Sequence, residues 1–293
     1  MKRVVLVTAI AALVAAACGG GGSSTTPQPI AARALALITD AQSKTVSGNS
    51  SKVSLSLRVS TDQGETTATG EGAFDLEHKK GSMHLDVSAA GQQLGLDIVF
   101  AGTVLYERFP PEVSSQFPGG KEWLKLDLAE LAKVSGVDAS QFLSSSPTDP
   151  SQTLEYLKAA SSDIQDLGTE EVRGASTRHF HFTVDLNKLG SSTGTESALK
   201  SVVDLLGRST FPMDAWIDSD GRARKVQVDF SFQPSGDAGQ TTGPVTMTET
   251  IEYYDFGTDV NVTLPPESDV IDFSEFLSSL GQSSGSGSSS SYP

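Results

Sequence analysis

Apolar and polar residues alternate with a period of two through most of the middle of the chain, the mark of strands with one wet and one buried face. Val53, Leu55, Leu57 and Val59 alternate with Ser54, Ser56 and Arg58, and Met83, Leu85 and Val87 with His84, Asp86 and Ser88. Leu94, Leu96, Ile98 and Phe100 repeat the pattern, as do Phe180, Phe182, Val184 and Leu186, and then Val226, Val228, Phe230 and Phe232. Less regular strand candidates span 71–76 (with Phe74 at an apolar position), 104–109, 123–126, 164–172, 213–217 and 246–256. A parallel sheet would give continuous apolar runs, so the alternation predicts an antiparallel sheet. Tight links at Arg173-Gly174-Ala175-Ser176 and Asp218-Ser219-Asp220-Gly221 fit hairpins between neighbouring strands.

Four segments carry helical spacing instead. Residues 30–41 place Ile30, Ala34, Leu37, Ile38 and Ala41 on one face. Asp149-Pro150 reads as an N-cap and first helical residue, leading to Leu154, Leu157 and Ala160. A third helix is expected over 195–206, burying Leu199, Val202, Val203 and Leu206 and ending at Gly207. A short fourth carries Phe273, Phe276, Leu277 and Leu280, and 127–134 is a further candidate. A sheet of about ten strands curls, and helices cover its apolar face. The expected fold is mainly β: a curved antiparallel half-barrel with helices over its concave side.

The two ends differ from this body. Lys2 and Arg3 precede an uncharged, mostly aliphatic run from Val4 to Ala17. Fourteen residues cannot span a bilayer as a helix, which needs about 20, but they suit a signal peptide. The run closes on Ala15-Ala16-Ala17-Cys18 and four glycines, which resembles the bacterial lipobox, with Ala15 where Leu is usual. Cys18 is the one cysteine of the 293 residues, and it falls at the position whose thiolate would accept a diacylglycerol anchor. Residues 1–17 are therefore read as a lipoprotein signal and 18–29 as a Gly/Ser/Thr/Pro tether. Residues 30–280 form one domain and 281–293 a disordered Ser/Gly tail. The mature chain is expected on the outer face of the cell membrane, held by its lipid.

Composition narrows the chemistry. Thirty-six acidic against 21 basic residues leave a net charge of −15, which opposes nucleic-acid binding and charge-driven adsorption to anionic lipid. A lone cysteine excludes an internal disulfide and a cysteine-based zinc site. Gly190-Ser191-Ser192-Thr193-Gly194 matches a nucleophile-elbow pattern, but that elbow belongs to a parallel α/β sheet. His179 and His181 share one face of a strand, a metal-capable spacing that reads better as a polar outer face. Asp218-Ser219-Asp220-Gly221 has no acidic residue at the bidentate twelfth position outside a strand and reads as a turn. The expectation is no enzyme, no metal and no cofactor.

Three stretches carry a family resemblance: Gly168 to Leu189 (GTEEVRGASTRHFHFTVDLNKL), Met213 to Phe230 (MDAWIDSDGRARKVQVDF) and Tyr253 to Pro265 (YYDFGTDVNVTLP). With the lipobox they resemble the LppX/LprG-type lipoproteins, relatives of the LolA-like carriers. The resemblance implies a half-barrel around an apolar cavity that receives acyl chains of lipids or glycolipids for transport or presentation in the envelope. Leu55, Leu57, Phe74, Leu85, Leu96, Ile98, Phe180, Phe182, Val228 and Phe230 are the inward candidates to line it. An envelope transport partner is compatible with that reading and is not identified by any motif. The other reading is an anchored structural or interaction module whose core is solid and holds no ligand.

Overall fold

The computed structural model describes residues 30–127, 150–161, 163–193, 200, 203, 207–233 and 243–283. Cys18, the expected helix over 195–206 except residues 200 and 203, the candidate over 128–134 and residues 284–293 lie outside them. Twelve strands form one open sheet: β1 (Ser50–Thr61), β2 (Gly64–Asp75), β3 (Lys80–Ala89), β4 (Gln92–Ala101), β5 (Val104–Arg108), β6 (Trp123–Asp127), β7 (Gln165–Val172), β8 (Ala175–Asp185), β9 (Thr210–Asp218), β10 (Ala223–Phe232), β11 (Val245–Tyr254) and β12 (Val270–Asp272). Their order is β12-β6-β5-β4-β3-β2-β1-β11-β10-β9-β8-β7, so most neighbours in space are neighbours in sequence. The fold is the expected curved, mainly antiparallel sheet. One pair departs from it: β12 lies parallel to β6, with Ile271 opposite Leu124. Three residues are too short to show a period, and nothing in the alternation announced this strand.

Two-residue turns fix the registers. At the β7–β8 turn Arg173 and Gly174 both have positive φ, 48° and 80°. That is the geometry whose twist matches a right-handed hairpin. The β9–β10 turn is held by Asp218, whose carboxylate accepts from the N–H groups of Asp220 and Arg222 and from the Arg224 guanidinium. Burial raises the Asp218 pKa, but these donors outweigh it and hold the carboxyl below its usual value. The Asp-rich loop is a hairpin turn.

The helices whose bounds lie within the described residues are α1 (Ile30–Val46), α2 (Pro111–Ser114), α3 (Pro150–Glu155), α4 (Leu186–Thr193) and α5 (Phe273–Ser283). Helix α1, α3 and the 3-10 turn Tyr156–Ala159 pack together over β8, β9 and β10. The buried face of α1 is Ala34, Ile38, Ala41, Gln42 and Thr45. Leu37, expected on that face, is 46% exposed, because the contact stripe runs i, i+4, i+7, i+8, i+11 and leaves it at the rim. Thr45 closes the contact by donating to the Ala41 carbonyl (2.6 Å) and accepting from the Ala223 N–H (2.8 Å). Leu154, Leu157 and Ala160 are fully buried, as their spacing predicts.

A smaller cluster of Phe117, Leu124 and Ile271, with Phe109 and Phe276 against it, seals the β6–β12 end. Helix α5 runs through Ser283, so the helix continues three residues into the segment read as tail. Removing residues 284–293 is expected to move Tm by less than about 1 °C, since Tyr292 is the tract's one large apolar side chain. A loss of several degrees on thermal melting would show that the segment docks.

Candidate functional site

The strand registers bring all ten predicted inward residues onto one face of the sheet. One row across it reads Phe180, Ala215, Val226, Ile251, Leu55, Gly70, Leu85 and Leu96. The next reads Phe182, Met213, Val228, Glu249, Leu57, Ala68, Val87 and Leu94. Ile98 lies opposite Met83, and Phe74 meets Phe100 with ring centroids 5.3 Å apart.

Burial divides this face in two. Leu55, Phe74, Leu85, Ile98, Phe180, Phe182 and Val228 belong to the solid core, each no more than 4% exposed. At Gly70 and Gly72 that core is filled by neighbours. A Cβ at Gly70 would stand 2.3 Å from Leu85 Cδ2, and one at Gly72 would stand 2.2 Å from the Ser82 carbonyl oxygen. The large side chains of β3 lean into the space the glycines leave, as close packing requires.

Toward the other end of β1–β4 and β10–β11, the same face is half-buried. Leu57, Val59, Val87, Leu94, Leu96, Phe230 and Met247 make an apolar patch continuous with the core. Val59 pairs with Met247, Met247 pairs with Phe230, and the Phe230 ring lies 4.4 Å from that of Phe211.

Two carboxyls interrupt the part of this apolar face formed by β1–β5 and β10–β11, and the sequence reading, which took the inward side as uniformly apolar, missed both. Glu249 on β11 sits between Val228 and Leu57, at the border of core and patch, and is 7% exposed. Thr153 of α3 donates to its Oε1 at 3.1 Å. Burial pushes its pKa up to about 7, against the opposing pull of the Thr153 hydroxyl. Glu107 on β5, between Ile98 and Leu124, is raised by burial as well. The signal was parity: Glu249 shares the phase of Met247, Ile251 and Tyr253, and Glu107 that of Leu105.

The opposite face of the sheet holds the histidines. His179 stacks on Trp216 at 4.0 Å. Its Nδ1 is 2.8 Å from Glu170 Oε1 and its Nε2 2.7 Å from Asp214 Oδ1, while His181 Nδ1 is 3.0 Å from Asp214 Oδ2. Both ring nitrogens of His179 thus face carboxylates of the protein. Among the described residues no group of three or more His, Cys, Asp or Glu could hold a metal ion. Residues 190–193 form the last turn of α4, which is not the strand-to-helix turn a nucleophile elbow needs. A separate open pocket of about 360 Å³ beside the end of α1 is lined by Gln42, Ser43, Val46, Ser47, Asn49 and Glu77.

No family model matches the chain. An uncharacterized 31.2 kDa protein of Streptomyces griseus is 29% identical over 223 residues, 73% of this chain and 68% of that protein. A candidate lipoprotein of Streptomyces coelicolor is 28% identical over 179 residues, 60% of this chain and half the length of that relative. Among solved structures, the lipoprotein LppX of Mycobacterium tuberculosis is similar at TM-score 0.44 and 15% identity, over 79% of this chain and 99% of that one. LprF of Mycobacterium bovis is similar at TM-score 0.44 and 12% identity, over 80% and 97%.

Proposed function

We propose that the chain is a membrane-anchored lipoprotein of the cell envelope whose inward apolar face binds the acyl chains of lipids or glycolipids. The observation that carries this reading is the half-buried apolar patch, Leu57 to Met247 in the residues named above, which continues the buried face of the same strands. An acyl chain of sixteen carbons meets a penalty on the order of 10 kcal/mol in water, at roughly 0.8 kcal/mol per CH₂. An apolar face that replaces membrane contacts cancels most of it, so uptake and release need neither an energy source nor a catalytic group. No helix among the described residues is long and apolar enough to cross a membrane. In this reading Cys18 supplies the attachment, in keeping with the lipobox and with the name of the Streptomyces coelicolor relative.

Organic extraction and mass spectrometry of protein produced without residues 1–18 tests the ligand. Co-purifying lipid near one mole per mole supports the carrier. A clean extract, together with no uptake of an added acyl probe, would make the chain an anchored interaction module. The anchor has its own test. Cys18→Ser is expected to leave an unprocessed precursor that incorporates no radiolabelled palmitate in cells, and equal labelling of variant and wild type would refute the lipobox.

A further inference from the structure

Glu249 is an expensive residue to place where it is. A carboxyl on an apolar face is retained at a cost in stability unless it has a partner. One oxygen of Glu249 takes the Thr153 hydroxyl, and no further partner is found for the carboxyl among the described residues. The groups around it are Val228 from β10, Leu57 from β1, Thr153 from α3 and Tyr156 from the 3-10 turn. The nearest charged pair on those helices, Glu155 with Lys158, is closed on itself at 2.7 Å and shared with Gln42. The one arginine with inward phase among the described strands, Arg178 on β8, is at the far edge of the sheet and paired with Asp166 on β7; on β1–β5 and β10–β11 the titratable groups on this face are Glu249, Glu107 and the Tyr253 phenol, which donates to the Pro150 carbonyl. Among the described residues, an anionic headgroup brought beside Glu249 would therefore meet a carboxyl and no unpaired counter-charge. An uncharged headgroup meets a carboxyl able to donate.

We propose that Glu249 recognises the polar end of the ligand by donating a hydrogen bond from its carboxyl to an acyl-ester carbonyl, and so selects uncharged acyl esters over anionic fatty acids. This rests on the acyl-binding reading above and names the ligand class for the same site. Its position suits the role, because Leu57 directly opposite it on β1 and Phe230 two residues beyond Val228 on β10 belong to the half-buried patch where the chain would lie. Burial keeps the group protonated in mildly acidic solution, and ionisation near pH 7 removes the donor and sets a charge beside the ester. Binding should then weaken as pH rises.

The test uses the protein without residues 1–18, delipidated, with two probes: a pyrene-labelled hexadecanoic methyl ester and the corresponding free acid. Titrations are run at about pH 5.5 and about pH 8.5, which bracket the change of state. Wild type is expected to bind the ester at least about tenfold more tightly at the lower pH, and more tightly than the acid. Glu249→Gln keeps a donor and the shape, and should bind the ester equally at both pH values; Glu107→Gln should keep the wild-type pH step. Glu249→Leu should lose about tenfold at the lower pH, and urea unfolding of each variant confirms that it is folded. The proposal is overturned if Glu249→Gln retains the step, if Glu107→Gln abolishes it, or if wild type prefers the acid. In those cases acyl binding itself survives. If wild type takes up neither probe at either pH, the acyl-binding reading falls and this one falls with it.

Discussion

At about pH 8, Glu249→Gln is expected to make the protein more stable by about 3 kcal/mol, while at about pH 4 the two proteins should differ by less than about 1 kcal/mol. The cause is the carboxyl's position on the inward face, where burial holds its pKa near 7 rather than at the ordinary glutamate value. A folded-state pKa raised above the unfolded one means that the native protein holds the proton over a window where the unfolded chain has released it. Stability is therefore full below the unfolded value, near 4.5, and declines as pH rises through about 7. Some 2.5 units at 1.36 kcal/mol each give the magnitude to order of size. Glutamine fills the same volume, still accepts from Thr153, and carries no charge to desolvate. Urea unfolding of both proteins across this range checks it. Parallel pH profiles for variant and wild type would show that Glu249 is hydrated in the native state. The excess stability of the variant at alkaline pH is also what a site optimised for binding rather than for stability should show.

The sheet was legible because its strands are long and one-sided: Met83, Leu85 and Val87 cannot change face without slipping every residue of β3 with them. Helix α3 was legible for a similar reason, since Pro150 opens it and Leu154 and Leu157 both have to be inside. What escaped was set by partners rather than by period. Ile271 counts as core because Leu124 lies beside it in a parallel pair, and three residues of β12 contain no repeat from which to infer that. Leu37 looks inward on a helical wheel, yet the stripe of α1 that meets β9 and β10 passes through Gln42 and Thr45 instead. All ten predicted inward residues share one face, because core-forming and cavity-lining positions would obey the same alternation. For the same reason alternation could not separate the solid half of the face from the half-buried one. Glu249 was missed because acidic residues were read as solvent-facing by type, although the phase of β11 placed this one inside. Residue type misleads where the phase of a strand overrides it.

The division of the inward face predicts opposite outcomes for two substitutions on it. Phe182 is fully buried in the row with Met213 and Val228, so Phe182→Ala should remove about 3–5 kcal/mol from the stability of delipidated protein. Its neighbours on β8 and β9 are held by ladder hydrogen bonds on both sides and have little freedom to close the void. Leu96 lies in the adjacent row but at the half-buried end, near Leu94 and opposite Leu85. There the added ring of Leu96→Trp has room that a close-packed interior would deny, so the apo fold should keep its stability within about 1 kcal/mol. The same ring occupies volume that an acyl chain would use, and binding of a pyrene acyl ester should drop by more than about tenfold. Chemical denaturation and probe titration on the two variants decide the matter together. A loss of about 2–3 kcal/mol for Leu96→Trp, the signature of an overpacked core, with wild type blind to the probe, would mean that the apolar face is closed along its whole length and that the sheet serves as a scaffold. Stability retained and binding lost in Leu96→Trp, set against stability lost in Phe182→Ala, would locate the acyl chain on the β1–β4 half of the face.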